Sequence, residues 1–132
     1  VMKKDNKGFS LVELIIVIAI MAVLIGILAP TYMRFVQRSK VSTDITNAQE
    51  MATAINTAIT DGVTIGGINN GTATAANTTV TGLPGFTTMP ASKVNATYSW
   101  VVSWDTTDGV TSITLGGDQI YPDPTDYHTT ND

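Results

Sequence analysis

The chain contains no cysteine. That excludes a disulfide framework, a thiolate metal site and a cysteine nucleophile, and leaves packing alone to hold any folded part together. Histidine is nearly absent. The one copy, His128, sits among Thr, Asp and Asn near the end of the sequence, where it reads as a solvated residue and not as a base. Positive charge is scarce beyond the first third: after Lys40 there is only Lys93, and the net charge is -4. Nucleic-acid binding rests on clustered Lys and Arg, so no nucleic-acid partner is expected. Nothing in the sequence supplies a catalytic constellation, so the chain reads as no enzyme, with no cofactor and no metal.

With 132 residues there is room for about one domain. What is present in abundance is one apolar run. Residues 1–8, VMKKDNKG, are short, polar and basic. From Phe9 to Ala29 the sequence FSLVELIIVIAIMAVLIGILA is apolar on every helical face except at Ser10 and Glu13. At about 1.5 Å per residue such a helix covers roughly 30 Å, enough to cross a bilayer. Pro30 follows, and a bend near Gly26 and Pro30 is expected there, not a stop, because helical periodicity resumes at once.

Past Pro30 the chain turns polar. Val41, Ile45, Ala48, Ala52, Ile55 and Ile59 recur at helical spacing, with Lys40, Asp44, Asn47 and Thr57 off the stripe. One face of a second helical half is thus ready for a small head. Asp61-Gly62 ends it, since Gly takes the left-handed conformation that closes a helix. The whole helix, from about Phe9 to Asp61, would be roughly 80 Å long.

Residues 62–97 are rich in Gly, Thr, Asn and Ala and carry turn signals at Gly66-Gly67, Asn69-Asn70-Gly71 and Leu83-Pro84-Gly85. They read as loop with at most one short strand. Tyr98, Trp100, Val102 and Trp104 then alternate with Ser99, Val101 and Ser103, and Val110 to Leu115 is a second β-rich run across Asp105–Gly109. This is a β-hairpin, and its aromatic face is the natural cover for the helical stripe. A third strand near Gln119–Tyr121 is expected before Pro122 and Pro124 end regular structure. The fold class is therefore α+β: a long N-terminal helix packed against a small antiparallel sheet. Five segments follow from this reading: 1–8 as a leader, 9–33 as the hydrophobic half-helix, 34–61 as its amphipathic continuation, 62–97 as a variable loop region and 98–132 as the β head and tail.

Three readings meet on residues 1–30. A secretory signal peptide wants small residues after its apolar core, and Ile27-Leu28-Ala29-Pro30 supplies one Ala followed by Pro. A plain single-pass anchor leaves Glu13 without a purpose, although a carboxylate inside a span costs on the order of a few kcal/mol. The third reading is a resemblance. Lys7-Gly8-Phe9-Ser10-Leu11-Val12-Glu13-Leu14-Ile15-Ile16-Val17 resembles the class III prepilin signal of the type IV pilin and pseudopilin superfamily, over about residues 3 to 38, with Pro30 where such proteins place a proline.

That resemblance implies cleavage by prepilin peptidase between Gly8 and Phe9, N-methylation of Phe9, and a role for Glu13 in assembly, neutralising the amino terminus of a neighbouring subunit. It implies partners as well: identical or related pilin subunits in a helical homo-polymer, the peptidase, and an inner-membrane assembly machinery. The precursor would sit in the cytoplasmic membrane by a single pass before joining an extracellular pilus for adhesion or motility. Orientation rests on the resemblance, since Lys3, Lys4 and Lys7 are balanced by Arg34, Arg38 and Lys40. The lack of cysteine resembles the pilins of Gram-positive bacteria. Within the superfamily a type II secretion pseudopilin or a competence pilin fits the same residues, and outside it a secreted binding module with an unusual signal peptide.

Weaker signals read as ordinary surface. Asp105, Asp108, Asp118, Asp123 and Asp126 lack calcium-loop spacing and fit solvated turns. The triplets at Asn70, Asn77 and Asn95 fit the glycosylation pattern, which a Thr- and Asn-rich segment also produces by chance.

Overall fold

The computed structural model describes residues 8–132. The expected leader therefore lies, apart from Gly8, outside the described residues. The chain divides into two compact units, residues 1–35 and 36–132.

One helix, α1 (Leu11–Thr60), takes in residues of both, with Pro30 inside it. In the first unit α1 is a rod apolar from Leu14 to Pro30, its side chains exposed, with Leu14, Ile18 and Ile27 exposed by 47%, 65% and 66%. Among the described residues α1 is the one helix long and apolar enough to cross a membrane.

In the second unit the chain continues as β1 (Ala73–Thr74), β2 (Trp100–Asp105), β3 (Gly109–Leu115), β4 (Asp118–Tyr121) and a short α2 (Thr125–Asn131). The strands form one antiparallel sheet in the order β1-β2-β3-β4. This is the α+β architecture expected from the sequence. Trp100 pairs with Leu115 and Val102 with Ile113, and the inward side chains Trp100, Val102, Ile113, Leu115 and Ile120 are buried against α1 residues Val41, Ala48, Met51, Ala52 and Ile55. Trp104 packs at the margin of this core, and Trp100 satisfies its indole N–H on the Pro90 carbonyl at 2.8 Å.

The end of α1 shows why the sequence breaks there. Gly62 has φ 67°, its N–H donates to the Ile59 carbonyl, and the Val63 N–H reaches back to Ala58. That pair of bonds is the Schellman closure, which satisfies carbonyls the helix would otherwise leave open. The hairpin turn has its own requirement at Gly109. It lies at φ 79°, and a Cβ there would collide with the Asn56 side chain, whose Oδ1 accepts the Val110 N–H at 2.8 Å.

Two expectations are corrected. Pro122 and Pro124 do not end regular structure, because α2 follows and buries Tyr127 and Asn131. Asp44, read as lying off the apolar stripe, is fully buried. The reason is the same for both: α2 brings a phenol to the helix where a carboxylate can accept it.

Candidate functional site

Gly8 and Phe9 stand just before α1 and Glu13 in its first turn, all three exposed. Phe9 is 82% exposed, and the space around Gly8 is open, with nothing within 4 Å of where a Cβ would stand. Ser10 precedes the helix and Glu13 lies in its first turn. Their side chains exchange hydrogen bonds with each other's backbone: the Ser10 N–H donates to Glu13 Oε2 at 3.2 Å, and the Glu13 N–H donates to Ser10 Oγ at 3.3 Å. This is a capping box, in which a Ser and a Glu at that spacing satisfy each other's orphan donors. The motif is legible in the sequence as Ser10-x-x-Glu13, and it gives Glu13 a local role beside the assembly role that the prepilin resemblance implies. A carboxylate near a helix N-terminus is also favoured by the helix dipole.

Beyond Glu13 the helix offers no polar side chain until Thr31, so any packed environment around it is apolar. Glu13 is then the single side chain from Leu11 to Pro30 that can hold a full charge. A capping bond occupies part of its acceptor capacity, since a carboxylate has several lone-pair directions, and leaves the remainder for a cation.

The second unit holds a polar centre of a different kind. Asp44 Oδ2 accepts the Tyr127 and Ser92 hydroxyls, each at 2.6 Å, and Oδ1 accepts the Lys93 N–H at 2.7 Å. The Tyr127 hydroxyl is pushed well above the ordinary phenol range, first by burial and then by its bond to Asp44. With α2 further held by Gln37 Nε2 on the Asn131 carbonyl at 2.7 Å, this network ties three distant stretches together and supplies no open acid or base.

The hollows on the second unit are shallow. The groove of about 410 Å³ between α1 and the Pro84–Phe86 turn is lined by Glu50, Thr53, Thr57 and Phe86 without converging titratable groups. Among the described residues no group of three or more His, Cys, Asp or Glu side chains is placed to hold a metal ion. The carboxylates at Asp105 and Asp123 sit below the usual range because the Thr107 and Thr125 groups beside them donate hydrogen bonds, which is turn chemistry.

Comparison with known proteins bears on the first of these sites. Residues 3–29 match the prokaryotic N-terminal methylation motif. Over 61 residues, 46% of this chain and 39% of the relative, the chain is 44% identical to the type IV major fimbrial protein FimA of Dichelobacter nodosus. It is 37% identical over 59 residues to a fimbrial protein of Pseudomonas aeruginosa, covering 45% of this chain and 38% of that one. Over 49 residues, 37% of this chain and 22% of the relative, it is 45% identical to the type IV major pilin protein PilA of Myxococcus xanthus. The aligned segments thus span about two fifths or less of these relatives. No solved structure gives a significant match. The N-terminal segment thus carries a prokaryotic N-terminal methylation motif and is similar, over that stretch, to type IV fimbrial and pilin proteins.

Proposed function

We propose that the chain is a structural subunit of a type IV pilus, cut by prepilin peptidase between Gly8 and Phe9, methylated on the new amino group of Phe9, and polymerised through α1 into a surface filament. The observation that carries this reading is the exposed apolar half of α1. A rod with exposed Leu, Ile and Val on every face requires lipid or other helices of the same kind, because water would not tolerate it. A membrane before assembly and a bundle of identical helices after it are the two environments that meet that need in turn.

The methylation motif supports the processing step, and the fimbrial and pilin names of the relatives support the pilus over a secretion or competence filament. Gly8 precedes the apolar run by one bond, so the peptidase would cut on the polar side of the helix. Glu13 would then face the charged amino group of Phe9 on a neighbouring subunit.

Processing should depend on Gly8, since a branched side chain would intrude where a protease grips extended backbone. Gly8→Val is expected to remain as the uncut precursor in the membrane fraction. Intact-mass spectrometry is the check, and release of residues 1–8 at the normal level from this variant would overturn the proposed cleavage.

A further inference from the structure

The tip of the second unit presents a hollow that the filament reading does not use. It has a volume of about 330 Å³ and is lined by Ile59, Gly62, Val63, Ile65, Trp104 and Thr106. Trp104 is held as a platform: its N–H donates to Asn70 Oδ1 at 2.9 Å, and its carbonyl accepts Asn70 Nδ2 at 2.6 Å. Both backbone groups are thereby fixed by one side chain. The indole N–H has no partner among the described residues, whereas that of Trp100 is satisfied internally. The tryptophan is thus pre-positioned with its polar edge open.

The charge around this hollow is of one sign. Asp61 follows the helix end, Asp105 follows Trp104, and Asp108 lines the adjoining depression that shares Ile59 and Thr106. All three are exposed, and the last turn of α1 carries no basic residue to compensate its carbonyl dipole. Asp105 is kept ionised by the Thr107 N–H. At the opposite end of this unit's stretch of α1, Arg38 is exposed and makes no ion pair among the described residues.

Resting on the pilus-subunit reading above, we infer that this tip receives Arg38 of a second copy of the chain, its guanidinium over the Trp104 ring and against Asp61 and Asp105. A guanidinium suits both partners at once, since it stacks on an aromatic face and bonds carboxylates through a planar fork. Successive copies in a filament of one polarity have their second units parallel. Bringing Arg38 of one beside the helix end of another then needs a lengthwise shift of about 33 Å, the rise of the intervening 22 residues, so this copy is a different neighbour from the one whose Phe9 meets Glu13. The two patches differ, so the contact is heterologous and does not close on itself. Such a contact repeats into an open fibre.

The absence of cysteine makes the test clean. In cells that assemble the full chain, Arg38→Cys combined with Asp105→Cys is oxidised on sheared filaments and run without reductant. The helix between the two positions is too long for a bond within one copy, because bridged Cα atoms lie within about 7 Å. Reducible ladders longer than a dimer are expected, and each single variant should stop at the dimer. In a second arm Arg38→Asp should lower filament yield by roughly tenfold or more, as loss of a buried Arg anchor does, and adding Asp105→Arg to the same chain should restore it. Filaments at full yield from Arg38→Asp with no ladder from the cysteine pair would overturn this contact and leave the pilus reading standing. Failure of the unsubstituted chain to form filaments would overturn both.

Discussion

Asp44 has no exposed surface, and donors from Ser92, Lys93 and Tyr127 converge on its two oxygens. A buried carboxylate is tolerated on this condition alone, because an uncompensated charge in a small core would cost more than the core supplies. No buried polar side-chain atom among the described residues lacks a partner. Asp44→Asn keeps the volume but turns an NH₂ group toward at least one of those donors, so a loss of about 1–3 kcal/mol is expected. Guanidinium unfolding of the detergent-solubilised chain, followed by tryptophan emission, measures it. Tyr127 adds a pH signature. Its folded-state pKa is raised, so its contribution is fully present below the unfolded phenol value of about 10 and is lost as pH climbs above that value. Stability should fall in alkaline solution in the parent chain, and more weakly in Tyr127→Phe. Equal slopes in the two would remove Tyr127 from the account.

Within the second unit, α1 and the sheet are each half of one core. The buried helical positions Val41, Ala48, Met51, Ala52, Ile55 and Ala58 face Trp100, Val102, Ile113 and Leu115. Small residues at 48, 52 and 58 let the sheet approach while Met51 and Ile55 fill the space between. The sheet needs this support, since a hairpin alone is marginal in water. Ile55→Asp places an unpaired carboxylate where the side chain is fully buried, so the expected loss is several kcal/mol, enough to unfold a core this small. Circular dichroism of the detergent-solubilised chain is the check: the β signal and the cooperative transition should vanish while the helical signal of the apolar half persists. A variant that melts like the parent would mean that Ile55 faces something other than the sheet.

For the whole molecule the proposed assembly turns on Glu13. Bundled in a filament, the apolar halves of α1 would place this carboxylate in a dry setting where an unpaired charge is far more costly than in water. A neighbour's Phe9 amino group would neutralise it and, because a misplaced helix would bury both charges unpaired, would also fix the axial register. Glu13→Ala is expected to leave cleavage after Gly8 and membrane insertion intact while abolishing filaments when it is the sole subunit. Glu13→Asp should be partly defective because it reaches less far. Electron microscopy with sheared-pilus blots decides the matter, and abundant filaments of normal length from the Ala variant would discount Glu13 as the assembly contact. The capping box adds a control: Ser10→Ala weakens the same helix end by about 1 kcal/mol without touching the charge, so filaments should persist.

Local signals carried most of this protein's outline. A run of apolar residues from Phe9 to Ala29 defines its own helix because no other backbone state satisfies every polar group in such surroundings. The stripe from Val41 to Ile59, the Gly62 stop and the alternation around Trp100 are likewise written in neighbouring residues, as were the residues on which the processing and assembly proposals rest. What neighbouring residues could not convey was long-range pairing. Asp44 reads as a solvated residue until a hydroxyl 83 positions away is brought to 2.6 Å from it. The C-terminal helix reads as tail until that same bond, with Gln37 on the Asn131 carbonyl, gives it a place to dock. Trp104, alternating with its neighbours like any core residue, was left with an open indole edge at an acidic tip only when Asn70 pinned it there. Periodicity reports which face of an element is apolar; which polar group on that face is compensated depends on what the rest of the chain folds against it, and tertiary structure alone decides that.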